Sequence, residues 1–264
     1  LGTAALTVLV RATYTVEELK GADHSIAMKL AMEEDDASVL KALLVHFIDV
    51  EKVRIEELCT SHTNIFHYAD YTPVHYACLL NRDEHLQLLL DAGCPKDLEA
   101  ESGVKLMHAA TAEGSHLSTG VLLKAGVDVR DSAKERTIHN NDVPIRTGFQ
   151  GMTAAGMAAK AGHVQVLRTF QSEGGDALAS LSERDVNGLA PIHYAASKGK
   201  RDALRFLAFE VGWGDVTAQE VAEAAAEFSE EESGYVERLS DTQEFAKQRD
   251  LYFMVEAKKT SGEL

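Results

Sequence analysis

The chain has 264 residues, 45% of them hydrophobic and only 6% aromatic, which suffices for a buried core made mainly of small and aliphatic side chains. Its 42 acidic against 26 basic side chains give a formal net charge of −16, which keeps a chain dispersed, argues against a nucleic-acid or anionic-membrane partner, and favours a partner with a basic patch. Three cysteines, Cys59, Cys78 and Cys94, are an odd number spread over a long chain, a poor disulfide framework that points to a reducing compartment.

Leu6-Thr7-Val8-Leu9-Val10 is strand-like, but one strand cannot stand alone, so residues 1–23 read as an irregular segment. The run from Ala4 to Val10 is far short of the roughly 20 residues that span a bilayer and lacks a preceding basic region, so direct membrane insertion is not expected. A chain that starts at Leu1 rather than methionine reads as an excised piece of something longer. Ile26 to Ala31 followed by Val39 to Leu44 places small residues before leucines, the order of a helix pair, and residues 24–69 read as a degenerate N-terminal helical cap with its connection.

From Asp70 the pattern sharpens. Thr72 can cap a helix through its hydroxyl, Pro73 suits the first helical position, and Ala77 and Cys78 are small enough to admit a second helix carrying Leu86, Leu88, Leu89 and Leu90. Asp91-Ala92-Gly93 then ends that helix, with glycine at the left-handed cap. The same order returns as Lys105-Leu106-Met107-His108-Ala109-Ala110 with Leu122-Leu123, as Met152-Thr153-Ala154-Ala155-Gly156-Met157 with Val166-Leu167, and as Ala190-Pro191-Ile192-His193-Tyr194-Ala195 with Leu204 to Leu207. From His75 to His108 is 33 residues, from His108 to Gly156 is 48, and from Gly156 to His193 is 37. The polar insertion between Arg130 and Gln150 reads first as a flexible loop and second as a binding finger. Thr217-Ala218-Gln219-Glu220-Val221-Ala222 starts an eroded C-terminal cap, after which Glu227 to Ser233 forms an acidic connection.

Thr72-Pro73-Val74-His75-Tyr76-Ala77 and its returns resemble the ankyrin-repeat signature Thr-Pro-Leu-His-x-Ala. The resemblance implies an all-α solenoid of stacked helix-turn-helix units with degenerate terminal capping repeats. It divides the chain into 1–23, 24–69, four repeats at 70–100, 101–131, 148–184 and 185–212 with an insertion at 131–147, and a C-terminal cap and tail at 213–264. It also implies that His75 bridges to neighbouring backbone, and that Lys105, where threonine is usual, weakens the second repeat's cap.

A zinc reading of Cys59, His62, His75 and Cys78 has suitable paired spacing but loses His75 and Cys78 to these framework roles, and no metal site is expected. No nucleophile elbow, phosphate loop or glycine fingerprint occurs, so no catalytic residue and no cofactor are expected. Asp185-Val186-Asn187 reads as an ordinary turn.

Carried over by position, the resemblance places Tyr68, Tyr71, Leu79 and Leu80 of the first repeat on the partner-facing side. The second supplies Ser102, Val104, Ala112 and Glu113, the third Phe149, Gln150, Met152 and Lys160, and the fourth Val186, Leu189, Ser197 and Lys198. The expectation is a monomeric, non-catalytic adaptor, scaffold or targeting module, cytoplasmic or nuclear, that binds another protein on its concave face. The alternative is an ankyrin segment of a larger protein whose enzymatic or channel activity lies elsewhere.

Overall fold

The computed structural model describes residues 19–20, 24–60, 71–100, 103–133, 138–140, 143–145, 151–212 and 214–226. Among the described residues the fold is all-α apart from one short hairpin, and the chain divides into two compact units, Leu1–Ala154 and Ala155–Leu264. The division falls inside the third repeat.

In the first unit, helix α1 (His24–Glu33) pairs with α2 (Ser38–Val45), which runs on into a π-helical turn, His46–Val50. A six-residue helix α3 (Ile55–Thr60) precedes the pair α4 (Pro73–Leu79) and α5 (Asp83–Asp91), and the pair α6 (Leu106–Ala112) and α7 (His116–Lys124) follows. Each first helix packs on the next, α1 on α4 and α4 on α6, while the second helices α5 and α7 pack together. In the second unit the corresponding elements are α8 (Ala154–Ala161), α9 (Val164–Glu173) with the short α10 (Gly175–Ser180), α11 (Pro191–Ser197), α12 (Arg201–Phe206) with a π-helical turn at Leu207–Val211, and α13 (Ala218–Ala226).

The packing follows from residue size. Ala77 and Cys78, Ala110 and Thr111, Ala158 and Ala159, and Ala195 and Ala196 are at most 1% exposed, at the same place in four successive first helices. Small side chains there let helix backbones approach, and the second helices answer with fully buried Leu86, Leu89, Leu122, Leu167 and Phe170. The inter-helix turns need left-handed backbone at Asn81, Gly114, Gly162 and Gly199, spaced by the same 33, 48 and 37 residues as the motif. Lys29, standing where the motif has histidine, is 3% exposed, and burial pushes its ammonium down to about 8.

The motif histidines join these parts. The Thr72 hydroxyl oxygen accepts the His75 backbone N–H at 3.5 Å, and its O–H lies 2.9 Å from Nδ1. A carbonyl can only accept, so the Nε2–H of His75 donates to Val104 O at 3.1 Å, tying the start of one repeat to the start of the next. His108 repeats the outer half, its Nε2–H donating to Asp131 O at 3.0 Å. Its Nδ1 is buried without a hydrogen-bond partner, because Lys105 has no hydroxyl to offer and pairs its ammonium with the Asp131 carboxylate instead. In the last repeat Nδ1 of His193 accepts the Ala190 N–H at 3.0 Å.

Two expectations are corrected. The insertion holds a two-stranded antiparallel ladder, β1 (Ile138–Asn140) and β2 (Val143–Ile145), with His139 opposite Pro144, where a flexible loop is the first reading of the sequence. β-Branched residues either side of a two-residue connection favour such a hairpin, and a two-stranded ladder always leaves an edge on which proline is tolerated. The cysteine parity is also misleading: Cys59 and Cys94 form a disulfide with Cα atoms 5.6 Å apart, and Cys78 alone is the buried free thiol. Closing a loop over a separation of 35 residues removes unfolded-chain entropy on the order of 3–4 kcal/mol. The strand-like run at 6–10 and the acidic run at 227–233 lie outside the described residues.

Two outcomes follow from the histidine framework. Thr72→Ala removes a helix cap and the donor to His75 Nδ1, and urea denaturation is expected to show a loss of about 1–2 kcal/mol, most of it restored by Thr72→Ser. Desolvation holds His85, His108 and His193 below the ordinary imidazole pKa. Their contribution is complete above about pH 6.5 and is lost as pH falls, because the unfolded imidazoles take up protons that the folded ones refuse. The urea midpoint is therefore expected to drop between pH 7.5 and 5.5, with a shallower drop in His108→Gln.

Candidate interaction surface

The turn between α4 and α5 carries the first candidate patch. Asn81 holds the left-handed conformation, φ 55°, that glycine holds in the other repeats, and its side chain compensates for that cost. Asn81 Oδ1 accepts the backbone N–H groups of Leu117 at 2.9 Å and Ser118 at 3.3 Å, capping α7 from the preceding repeat. Ser115 Oγ donates to Leu79 O at 3.0 Å and Ser118 Oγ to Ala77 O at 3.2 Å, so the C-terminal end of α4 and the N-terminal end of α7 are fastened together. Leu80 and Leu117, 44% and 45% exposed, stand on this fastened junction. Exposed Glu84, in the first turn of α5, and exposed Glu113, on the turn between α6 and α7, lie near these residues in sequence.

The turn before α11 carries the second. Asp185 Oδ1 accepts the N–H groups of Asn187 at 2.8 Å and Leu189 at 3.2 Å, while its Oδ2 accepts the Tyr194 hydroxyl at 2.6 Å. Burial and the Asp185 carboxylate push the Tyr194 phenol well above its ordinary value, so it remains a donor. Arg184 donates to Gly188 O at 2.9 Å and pairs with Glu220 at 3.0 Å and Asp215 at 3.3 Å. Glu220, in turn, forms a capping box with Thr217 whose bonds, chiefly that backbone N–H, hold its carboxyl down to about 2. The turn is thus tied on both sides while Val186 is 76% and Leu189 36% exposed.

Of the residues expected to face a partner, Leu80, Glu113, Val186, Leu189 and Lys198 are exposed, and Leu79, Ala112, Lys160 and Ser197 are half-buried. Tyr71, Val104 and Met152 correct the expectation, for all three are buried. The Tyr71 ring lies 5.0 Å from that of His75, Val104 supplies the carbonyl that His75 binds, and Met152 O accepts the Ala133 N–H at 2.9 Å. They flank the signature and belong to the framework. Tyr68, Ser102, Phe149 and Gln150 lie outside the described residues.

Sequence reasoning missed Leu117, whose exposure depends on a cap supplied from 36 residues earlier. It also missed Phe209, 41% exposed beside a cleft of about 500 Å³ where the Arg168 guanidinium lies 4.9 Å from the Phe206 ring and forms a two-bond pair with Glu210. In the zinc reading, Cys59 is joined to Cys94, both imidazole nitrogens of His75 are engaged, and His62 lies outside the described residues. Among the described residues no helix is long and apolar enough to cross a membrane.

Residues 106–219 match a family model described as ankyrin repeats, three copies. Proteins named NF-kappa-B inhibitor alpha from Sus scrofa and from Homo sapiens are each 26% identical to this chain over 151 residues, covering 56% of it and 45% of their own length. The chain therefore spans less than half the length of these relatives.

The Asn81 junction is directly testable by chemical denaturation. Asn81→Gly keeps the turn and loses the cap, with an expected cost of about 1 kcal/mol, and Asn81→Ala adds backbone strain of about another 1 kcal/mol.

Proposed function

We propose that this chain, whose residues 106–219 match a family model described as ankyrin repeats, is a non-catalytic module that binds another protein through its inter-repeat turns. The observation that carries this reading is the placement of exposed aliphatic side chains, Leu80 with Leu117 and Val186 with Leu189, at turns and a helix start fastened by side-chain hydrogen bonds. Apolar groups on preorganised turns can be desolvated by a partner with little further ordering, which is how anchor residues gain affinity. The partner has a basic patch: the chain carries a net charge of −16, and Glu84 in the first turn of α5 and Glu113 on the following repeat's turn are exposed.

The name of the relatives describes an inhibitor of another protein, which agrees with a binding role for chains of this kind. Within the same proposal fall the repeat boundaries at 70–100, 101–131, 148–184 and 185–212, a monomeric state, and a cytoplasmic or nuclear setting. The alternative, a segment whose neighbours in a longer protein carry a separate activity, assigns the same turns the same binding work.

The test uses photo-crosslinking residues placed at Leu80 and Val186, followed by affinity measurements on the partner they capture. Leu80→Asp with Leu117→Asp is expected to weaken binding at least about tenfold while leaving the thermal transition nearly unchanged, and binding should weaken as salt is raised. A folded double variant that binds its partner with undiminished affinity sinks the assignment.

A further inference from the structure

The connection from the π-helical turn to the first clear repeat runs over residues 51–71, whereas the next, from Ala92 to Val104, is eight residues shorter. It holds α3, a helix of six residues, too short to persist without tertiary support. Leu58 and Cys59 are fully buried beneath it, while Glu56, Glu57 and Thr60 face solvent. Ile55 is half-buried, and its Cγ2 would sit 3.9 Å from a Cβ placed on Gly93, so α3 lies against the turn that ends α5. The ion pair between His24 and Glu57, at 3.9 Å with Glu57 half exposed, adds little. The covalent fastening is Cys59–Cys94, with Cys94 on that same turn.

Cys94 also lines a solvent-open cleft of about 380 Å³ together with Gln87, Leu90, Asp91, Lys96 and Lys124. Cys59 is fully buried and Cys94 is 5% exposed, so a reductant meets the bond through this cleft, on its Cys94 side, where the Lys96 ammonium is held by the Ala125 and Gly126 carbonyls. The remaining cysteine does not compete: Cys78 is fully buried in α4, and burial pushes its thiol far up.

We propose that the Cys59–Cys94 disulfide is a reversible redox latch, which holds α3 against the α4–α5 repeat when oxidised and releases it when a dithiol reductant opens the bond. One thiolate of the reductant attacks Cys94 Sγ through the cleft, the Cys59–Cys94 bond breaks, and the electron pair leaves on Cys59, which takes up a proton. The second thiol of the reductant then attacks the mixed disulfide and expels the Cys94 thiolate, which is protonated in turn. Two electrons and two protons pass to the protein, and the reductant departs as its disulfide. The consequence is local: α3 loses its tether, and the apolar ground beneath Leu58 becomes accessible, while the α6–α7 repeat stays folded.

The test is hydrogen exchange on the full chain, oxidised and after treatment with dithiothreitol, alongside thiol titration in denaturant. Purified without reductant, the denatured chain is expected to show one thiol, and after reduction three. Peptides covering 55–60 should exchange at least about tenfold faster when reduced, those covering 106–124 should not change, and reoxidation should restore protection. Cys94→Ser should reproduce the reduced pattern without dithiothreitol. Three thiols before reduction, unchanged protection of 55–60 after it, or collapse of 106–124 along with α3 would each overturn the latch.

Discussion

The bond on which the first unit depends is the one from His75 to the Val104 carbonyl. A helix-turn-helix pair cannot bury its apolar side alone, so each pair must find the next at a fixed distance and height. The Thr72 hydroxyl, the His75 ring and the Val104 carbonyl set that relation with directional bonds in a buried setting, where leaving any of them unpaired is costly. The small pair Ala77 and Cys78 then fixes how closely the helices approach. Asn81 completes the arrangement from the other end of α4 by capping the second helix of the following repeat.

Because these residues are fully engaged by one another, the proposed binding is assigned to those beside them. Leu80 and Leu117 are displayed by bonds made through Asn81 and Ser115, and Val186 by bonds made through Asp185 and Arg184. A turn held in this way presents an apolar side chain without having to be ordered by its partner. The same logic explains why the second repeat tolerates Lys105: the cap is lost, but the Lys105–Asp131 pair and the His108 bond to Asp131 O hold the next connection instead.

Local patterns were legible where the physics is local. The cap at Thr72, the proline at the first helical position, the small pairs and the spacing of 33, 48 and 37 residues all reappear in the structure, the last in the left-handed turn residues. What escaped depends on contacts between distant residues. Tyr71 and Met152 occupy positions that a repeat register assigns to the surface, yet one packs on the His75 ring and the other accepts the Ala133 backbone N–H. Cysteine parity gave no hint that Cys59, on a helix inserted between repeats, reaches Cys94. Leu117 was invisible for the same reason, since the cap that positions it comes from the preceding repeat.

The central claim, that His75 joins successive repeats by donating from Nε2 while accepting at Nδ1, is tested most directly by the ring nitrogen chemical shifts of ¹⁵N-labelled protein at neutral pH. The account predicts the Nε2–H tautomer for His75, with a slowly exchanging ring proton coupled to Nε2 that disappears when the repeat is unfolded. A proton on Nδ1 with Nε2 bare, or a ring averaging freely between tautomers in the folded chain, would contradict it.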